Sequence, residues 1–318
     1  MLSYRTFRNI DPPSLMAIWQ SRAGQSGLAQ PISVELLEQR VFGKIYFDYA
    51  GLFLAFDGDR PVGFAHAGFG PNQKHGHLST EAGVVCMVMV RPDCPEDQVA
   101  AGLLERCEAY LLQRGSKVLY GGAPCFVSPF YLGLYGGSQP PGVLESDLVA
   151  MNLYRSSGYQ EIGHTLIFRR SLADFRAPVS RQQMQCRRIA TFQMTVDPPS
   201  QDWWEACTIG DLDLIRFELI SKTGKESMAS ATVRDMRLGA TGARRMAGLM
   251  DIHVNPANRR QGMGTCLLGE VFRWLAEQGF TEIEAQARED NTAWVGLARK
   301  LGVQLVETAT IFRKEVRG

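Results

Sequence analysis

The chain has 318 residues, 45% of them hydrophobic, with 34 Lys and Arg set against 33 Asp and Glu. That balance excludes a polybasic nucleic-acid binder and an acidic disordered chain, and the length exceeds that of most single compact domains, so two hydrophobic cores are expected. The most apolar stretch, Val84 to Val90, stops at Arg91-Pro92, well short of the roughly 20 residues needed to span a bilayer.

The N-terminus, Met1 to Arg5, lacks the basic and apolar segments of a secretory signal, so a cytoplasmic protein without membrane contact is expected. The seven cysteines are scattered and form no C-x-x-C pair, and the five histidines do not recur at helical ligand spacing, so neither a disulfide framework nor a metal site is expected. Along the chain, Leu52 to Phe56 and Pro61 to Ala65 flank the polar turn Asp57-Gly58-Asp59-Arg60 and read as a hairpin. Val84 to Val90 reads as a buried strand. Gln98 to Arg114 reads as a helix with Leu103, Leu104, Cys107 and Leu111 on one face and Gly115 beyond its end, and Lys117 to Tyr120 as a further strand. Ser128 to Ser138, rich in glycine and aromatics, reads as a long loop, either a packed surface loop or a segment with a substrate or interdomain role.

The strand-like run Thr165 to Phe168 leads into a Pro- and Arg-bearing stretch that ends before Ile189 to Val196. This places a linker at residues 173–182 between domains 1–172 and 183–318. Beyond it the order repeats. Leu212 to Ser221 and Met228 to Met236 bracket a turn, and Met246 to Val254 is the next strand. Met263 to Gln278 is a helix with Leu267, Leu268, Val271, Phe272 and Leu275 at core spacing, and Thr281 to Ala287 is a strand. Each half reads hairpin, strand, helix, strand, helix, strand, and the expected class is mixed α/β with two tandem domains, each a mostly antiparallel mixed sheet flanked by helices.

The most specific segment runs from Val254 to Thr265, a strand that passes through a basic, glycine-bearing turn into an amphipathic helix. The first turn of a helix has unpaired N–H donors and the positive end of the dipole. Gly262 and Gly264 allow an anion to approach closely, and Arg259 and Arg260 add positive charge, so the segment reads as a pyrophosphate cradle. The third glycine of a dinucleotide fingerprint and the Gly-Lys-Ser/Thr of a Walker loop are both missing.

Arg259, Gly262 and Gly264 resemble the Arg/Gln-x-x-Gly-x-Gly/Ala motif of the GCN5-related N-acetyltransferase (GNAT) superfamily. Asn291 to Trp294 and Lys300-Leu301-Gly302 resemble that family's second motif. The resemblance covers Leu212 to Lys314 and implies an acetyl-CoA-dependent N-acetyltransferase that moves acetyl to a primary amine of unknown identity by direct attack. It further implies that Arg259, Arg260, Gln261, Gly262, Met263, Gly264 and Thr265 hold the pyrophosphate, that the main chain of Ile252, His253 and Val254 pairs with the pantetheine arm, and that Asn291 lies beside it. The first half resembles the family more weakly. Asp93, Glu96 and Asp97 stand where its cradle would be, so it is expected to be a degenerate copy. Leu153 to Tyr159 keeps the shape of the second motif, in which Tyr154 is the family's thiolate acid; Ala298 holds that position in the second half. Tyr154 itself reads first as a core tyrosine on an amphipathic helix, because its own half has no credible cofactor loop.

An amine nucleophile must lose a proton. Strand alternation puts Asp251 and His253 on one face and Ile252 and Val254 on the other, and puts Glu284 on a polar face of the next strand, so an open cleft is expected there. Asp251 is the first candidate base, with His253 and Glu284 behind it. Two alternatives stand beside the enzyme: a module that holds acetyl-CoA without turnover, and acyl transfer at a site in the first half. The chain is expected to act as a monomer or homodimer.

Overall fold

The structure, a computed structural model, describes residues 1–177, 180–236 and 245–316; the middle of the expected linker, residues 178–179, lies outside them. The first half comprises β1 (Leu2–Thr6), α1 (Pro12–Ser21), α2 (Val34–Leu37), β2 (Leu52–Asp57), β3 (Arg60–Pro71), β4 (Leu78–Val90), α3 (Glu96–Gln113), β5 (Val118–Gly121), β6 (Val143–Leu144), α4 (Leu148–Ser156) and β7 (Gln160–Ser171). The second comprises α5 (Arg181–Ile189), β8 (Ala190–Val196), α6 (Trp203–Thr208), β9 (Leu214–Ser221), β10 (Ser227–Asp235), β11 (Met246–Val254), α7 (Met263–Glu277), β12 (Glu282–Arg288), α8 (Thr292–Lys300) and β13 (Gln304–Glu315). The repeat of hairpin, strand, helix, strand, helix, strand is present in both: β2 to β7 and β9 to β13, with β6 an added short strand.

One sheet carries both halves, in the order β1-β2-β3-β4-β5-β13-β7-β12-β11-β10-β9-β8. Its centre is exchanged. β13, the last strand of the second half, pairs antiparallel with β5 of the first, and β7 of the first half pairs antiparallel with β12 of the second along Glu282 to Arg288. β7 and β13 then pair with each other. Alternation along the sequence identifies strands but not their partners, so this exchange is visible only in the fold.

Covering differs between the halves for a reason written in the strands. Residues Val62 to Gly70 of β3 are buried without interruption, because α1 and α2 close one face over Leu54, Phe64 and Met87 while α3 and α4 close the other over Ala55, Ala65 and Val85. Along β9 from Arg216 the burial alternates: Phe217 and Leu219 are buried while Arg216 and Glu218 are not. The buried residues pack under α7, whose Leu267, Leu268, Val271 and Leu275 recur at helical spacing. The polar rows of β9 to β11 therefore lie on the face opposite α7. The helices α3 and α7 both end before a left-handed glycine, Gly115 and Gly279.

Candidate functional site

The site starts where two strands part. β11 pairs in parallel with β12 only from Met246 to Leu249, while its pairing with β10 continues to Val254, so from Met250 onward one edge of β11 has no neighbouring strand. A bulge lies at the same point. Thr232 faces Asp251 and Val233 faces Leu249, leaving Met250 as the extra residue. Ala247 and Leu249 are in the core, and after the bulge Ile252 and Val254 pack against that core while Asp251 and His253 are exposed.

Beyond Val254 the chain makes a short turn, Pro256–Asn258, capped by Asn255, whose Oδ1 accepts the N–H of Ala257 at 3.1 Å. Arg259 Nε donates back to the Val254 carbonyl at 3.0 Å and Gln261 Nε2 to the Ala257 carbonyl at 3.0 Å. Gly262 then takes φ +82 as the residue before α7 and offers no side-chain cap. None of the main-chain N–H groups of Gly262, Met263, Gly264 and Thr265 has an acceptor among the described residues. These donors, the α7 dipole and the Arg259 and Arg260 guanidinium groups could together hold an anion. A Cβ on Gly262 would stand 3.0 Å from Cβ of Gln182, at the start of α5, and one on Gly264 3.3 Å from Leu297 of α8. Gln182 thus borders the cradle, although its position in the linker gave no signal in the sequence.

The opposite wall is α8. Asn291 caps it, with Oδ1 accepting the Trp294 N–H at 3.0 Å, so its side-chain oxygen is engaged while the residue stays exposed. Ala298 is buried in the core and offers no acid. Trp294 is also buried, and its indole Nε1 has no partner among the described residues.

On the other face of the sheet, Asp251 stands across from Thr232 and His253 from Ser230, with Arg216 and Glu218 on β9 one strand further out. Neither the Asp251 nor the His253 side chain makes a hydrogen bond or ion pair among the described residues. Glu284 is different: it is fully buried, and the polar face expected to line an open cleft is filled there by a loop from the first half. Glu284 Oε1 accepts the main-chain N–H of Ser138 at 2.7 Å, and Oε2 accepts from Arg169 Nε at 2.9 Å. Arg234, also buried, donates from Nε to the Ser138 carbonyl at 3.1 Å and from Nη2 to the Gly137 carbonyl at 2.7 Å. Burial lowers the Arg234 pKa to about 10 against the opposing pull of Glu284. The segment Ser128 to Ser138 therefore takes the interdomain place that its aromatics and glycines allowed.

Two strands part in the first half as well. β4 pairs with β5 only from Ala82 to Val85 and then parts from it. Tyr154 lies at that parting, 1% exposed, its hydroxyl 3.5 Å from the Val85 carbonyl and its ring stacked on Phe312. Burial pushes its pKa well up. Where a cofactor arm would pair with the free edge, Arg22 Nε donates to the Val90 carbonyl at 2.6 Å and the guanidinium pairs with Glu96. Hydrogen bonds from Arg91 and Arg60 hold the Asp93 carboxyl down at about 2. The chain's own side chains occupy this place. A cleft remains between Met87 to Val90 and α4, bordered by Arg22, Gln25 and Asp147.

Residues 219–303 match the family model described as the acetyltransferase (GNAT) family. A curated relative, the aminoglycoside N(6')-acetyltransferase type 1 of Acinetobacter haemolyticus, is 30% identical over 90 residues, which is 28% of this chain and 62% of that protein. Among solved structures, a tandem GNAT protein from the clavulanic acid biosynthesis pathway superposes with a TM-score of 0.71 at 12% identity, over 100% of this chain and 99% of that one. A GCN5-related N-acetyltransferase from Sphaerobacter thermophilus gives 0.66 at 15% identity, over 100% and 96%. At these identities the structural likeness bears on fold alone.

Proposed function

We propose, from the premise that this chain carries an acetyltransferase (GNAT) domain over residues 219–303 within a tandem GNAT fold, that its second half binds acetyl-CoA and transfers acetyl to a primary amine. The observation that carries the reading is the cradle itself: four unclaimed N–H groups, a left-handed glycine and two arginines at the start of α7, immediately after a strand edge freed by the parting of β11 and β12. The pyrophosphate lies on Gly262 to Thr265, flanked by Arg259, Arg260 and Gln261. The pantetheine arm pairs with the edge at Ile252, His253 and Val254, with Asn291 beside it. Residues 1–172 form the degenerate copy, residues 173–182 the linker and residues 183–318 the domain that holds the cofactor.

Acetyl-CoA supplies a thioester carbonyl activated toward nucleophiles. The neutral amine nitrogen attacks that carbon, the C–S bond breaks, and the amine's proton passes to the Asp251 carboxylate directly or through water. Asp251 suits this task because it is exposed and makes no competing ion pair among the described residues. His253, two residues on along the same face, is the second candidate. The leaving thiolate takes its proton from solvent, since Ala298 carries no acid. Glu284, with both carboxylate oxygens committed, serves position rather than proton transfer.

The buried Ala298 favours a second reading, in which acetyl-CoA is held without turnover. Thioester consumption measured against an aminoglycoside, spermidine, lysine and a peptide N-terminus separates the two. Acetylation of any of these amines supports the enzyme, and the relative's name makes the aminoglycoside the first to test. Tight acetyl-CoA binding with no turnover on any of them supports the holding module.

A further inference from the structure

We propose that residues 136–139 of the first half are a positioning element of the second half's transfer site, and that Gln139 sets the strand that carries Asp251. This inference rests on the reading of Asp251 as the base.

The segment is Gly136-Gly137-Ser138-Gln139, within the connection from β5 to β6. Both ends of that connection are pinned by β13: Gly121 faces Phe312, and Val143 and Leu144 face Thr310 and Ala309. Its tip reaches across β10, β11 and β12. Gly137 has φ +101, and a Cβ there would fall 2.0 Å from Glu284 Oε1, so only glycine permits the approach. The tip is held on every side. Glu284 accepts the Ser138 N–H, Arg234 donates to the Gly137 and Ser138 carbonyls, and Gln286 Nε2 donates to the Gly136 carbonyl at 2.8 Å and the Gln139 carbonyl at 3.0 Å.

The remaining contact carries the function. Gln139 Nε2 donates to the carbonyl of Met250, the extra residue of the β11 bulge. In a regular strand residues i and i+2 share a face, so Asp251 would follow Leu249 into the core under α7. The inserted Met250 reverses this and turns Asp251 and His253 outward while Ile252 and Val254 turn in. A group that fixes the bulge therefore fixes the direction of the base, and that group comes from the first half. The degenerate copy thus has a task unrelated to cofactor binding.

The test replaces Gln139 with Met, which keeps the length of the side chain and removes the donor. The readouts are amide hydrogen exchange of residues 249–253, the acetyl-CoA KM, and the pH profile of kcat with the best acceptor of the amine panel. The account expects kcat to fall about tenfold with an altered pH profile, the acetyl-CoA KM to stay within about twofold, and exchange to quicken at residues 249–253. A merely structural role would lower thermal stability while leaving the pH profile in place, and that result overturns the inference. Asp251→Asn, run in parallel, separates the two claims. If Asp251→Asn is inactive and Gln139→Met behaves as wild type, only the positioning inference falls. If Asp251→Asn keeps full activity, the reading of Asp251 falls and the inference with it. No acetylation of any amine overturns both.

Discussion

Tyr154 and Ala298 occupy equivalent turns of the two halves: each lies seven residues after the residue that caps its helix, Asp147 for α4 and Asn291 for α8, and each is buried. The half with the cradle lacks the hydroxyl, and the half with the hydroxyl has Arg22 and Glu96 where a cradle would act. On the proposed reading, the cofactor loop lies in one half of the chain and the tyrosine at the acid's position in the other.

This separation fixes the expected behaviour of Tyr154→Phe. The variant keeps the ring packed on Phe312 and removes one long hydrogen bond to Val85. Acetyl transfer should stay within a factor of about two, and stability should fall by at most roughly 1 kcal/mol. A large loss of turnover with acetyl-CoA affinity intact would place a working or composite site at Tyr154.

Thr232 should tolerate loss of its hydroxyl. Its Oγ1 is buried across from Asp251 without a partner among the described residues, and an unsatisfied buried hydroxyl costs about 1 to 3 kcal/mol. Thr232→Val keeps the shape and removes that cost, so chemical denaturation should show equal or greater stability. A clear loss would mean that the hydroxyl has a partner in solution.

His66 should make the first half acid-sensitive. It is fully buried on β3, with Nδ1 3.1 Å from the Tyr131 hydroxyl, its ring stacked on Phe130 and Nε2 without a partner among the described residues. Burial drives its pKa down to about 3, against a weaker opposing pull from Asp48. The folded state therefore binds the proton less readily than the unfolded chain. The stability that His66 contributes is complete above the unfolded value of about 6.5 and is lost as pH falls through that value toward 3, by on the order of 1.4 kcal/mol per pH unit. Denaturation midpoints measured between pH 7 and pH 4 should fall more steeply for wild type than for His66→Leu.

The parts of this molecule that the sequence discloses are those encoded by local periodicity. Alternation in Leu212 to Ser221, the helical stripe from Leu267 to Leu275, and the turn at Gly262 each declare themselves within a dozen residues. The placement of Asp251 and His253 opposite Ile252 and Val254 follows from strand alternation in the same way. Glu284 did not, because its neighbour on the polar face is Ser138, 146 residues away in sequence. The exchange of β7 and β13 escaped for a similar reason: both are ordinary alternating strands whose partners are set by a register that no short window contains. Gln139 and Gln182 carry no motif, and their roles rest on what the fold brings beside them.

Asp251→Asn should lower kcat with little change in the acetyl-CoA KM, since the residue lies on the sheet face opposite the core-facing Ile252 and Val254 and its task is the amine's proton. A pH–rate profile identical to wild type would remove it from the mechanism and move attention to His253.

The most direct measurement of the central claim is calorimetric titration of the full chain with acetyl-CoA, alongside Gly262→Val and the first-half variant Glu96→Gln. The account predicts one site per chain. Gly262→Val should abolish binding, because a branched side chain at φ +82 both strains the turn and stands against Gln182 and the phosphates, while Glu96→Gln should leave stoichiometry and affinity as in wild type. Two equivalent sites, or undiminished binding to Gly262→Val, would contradict it.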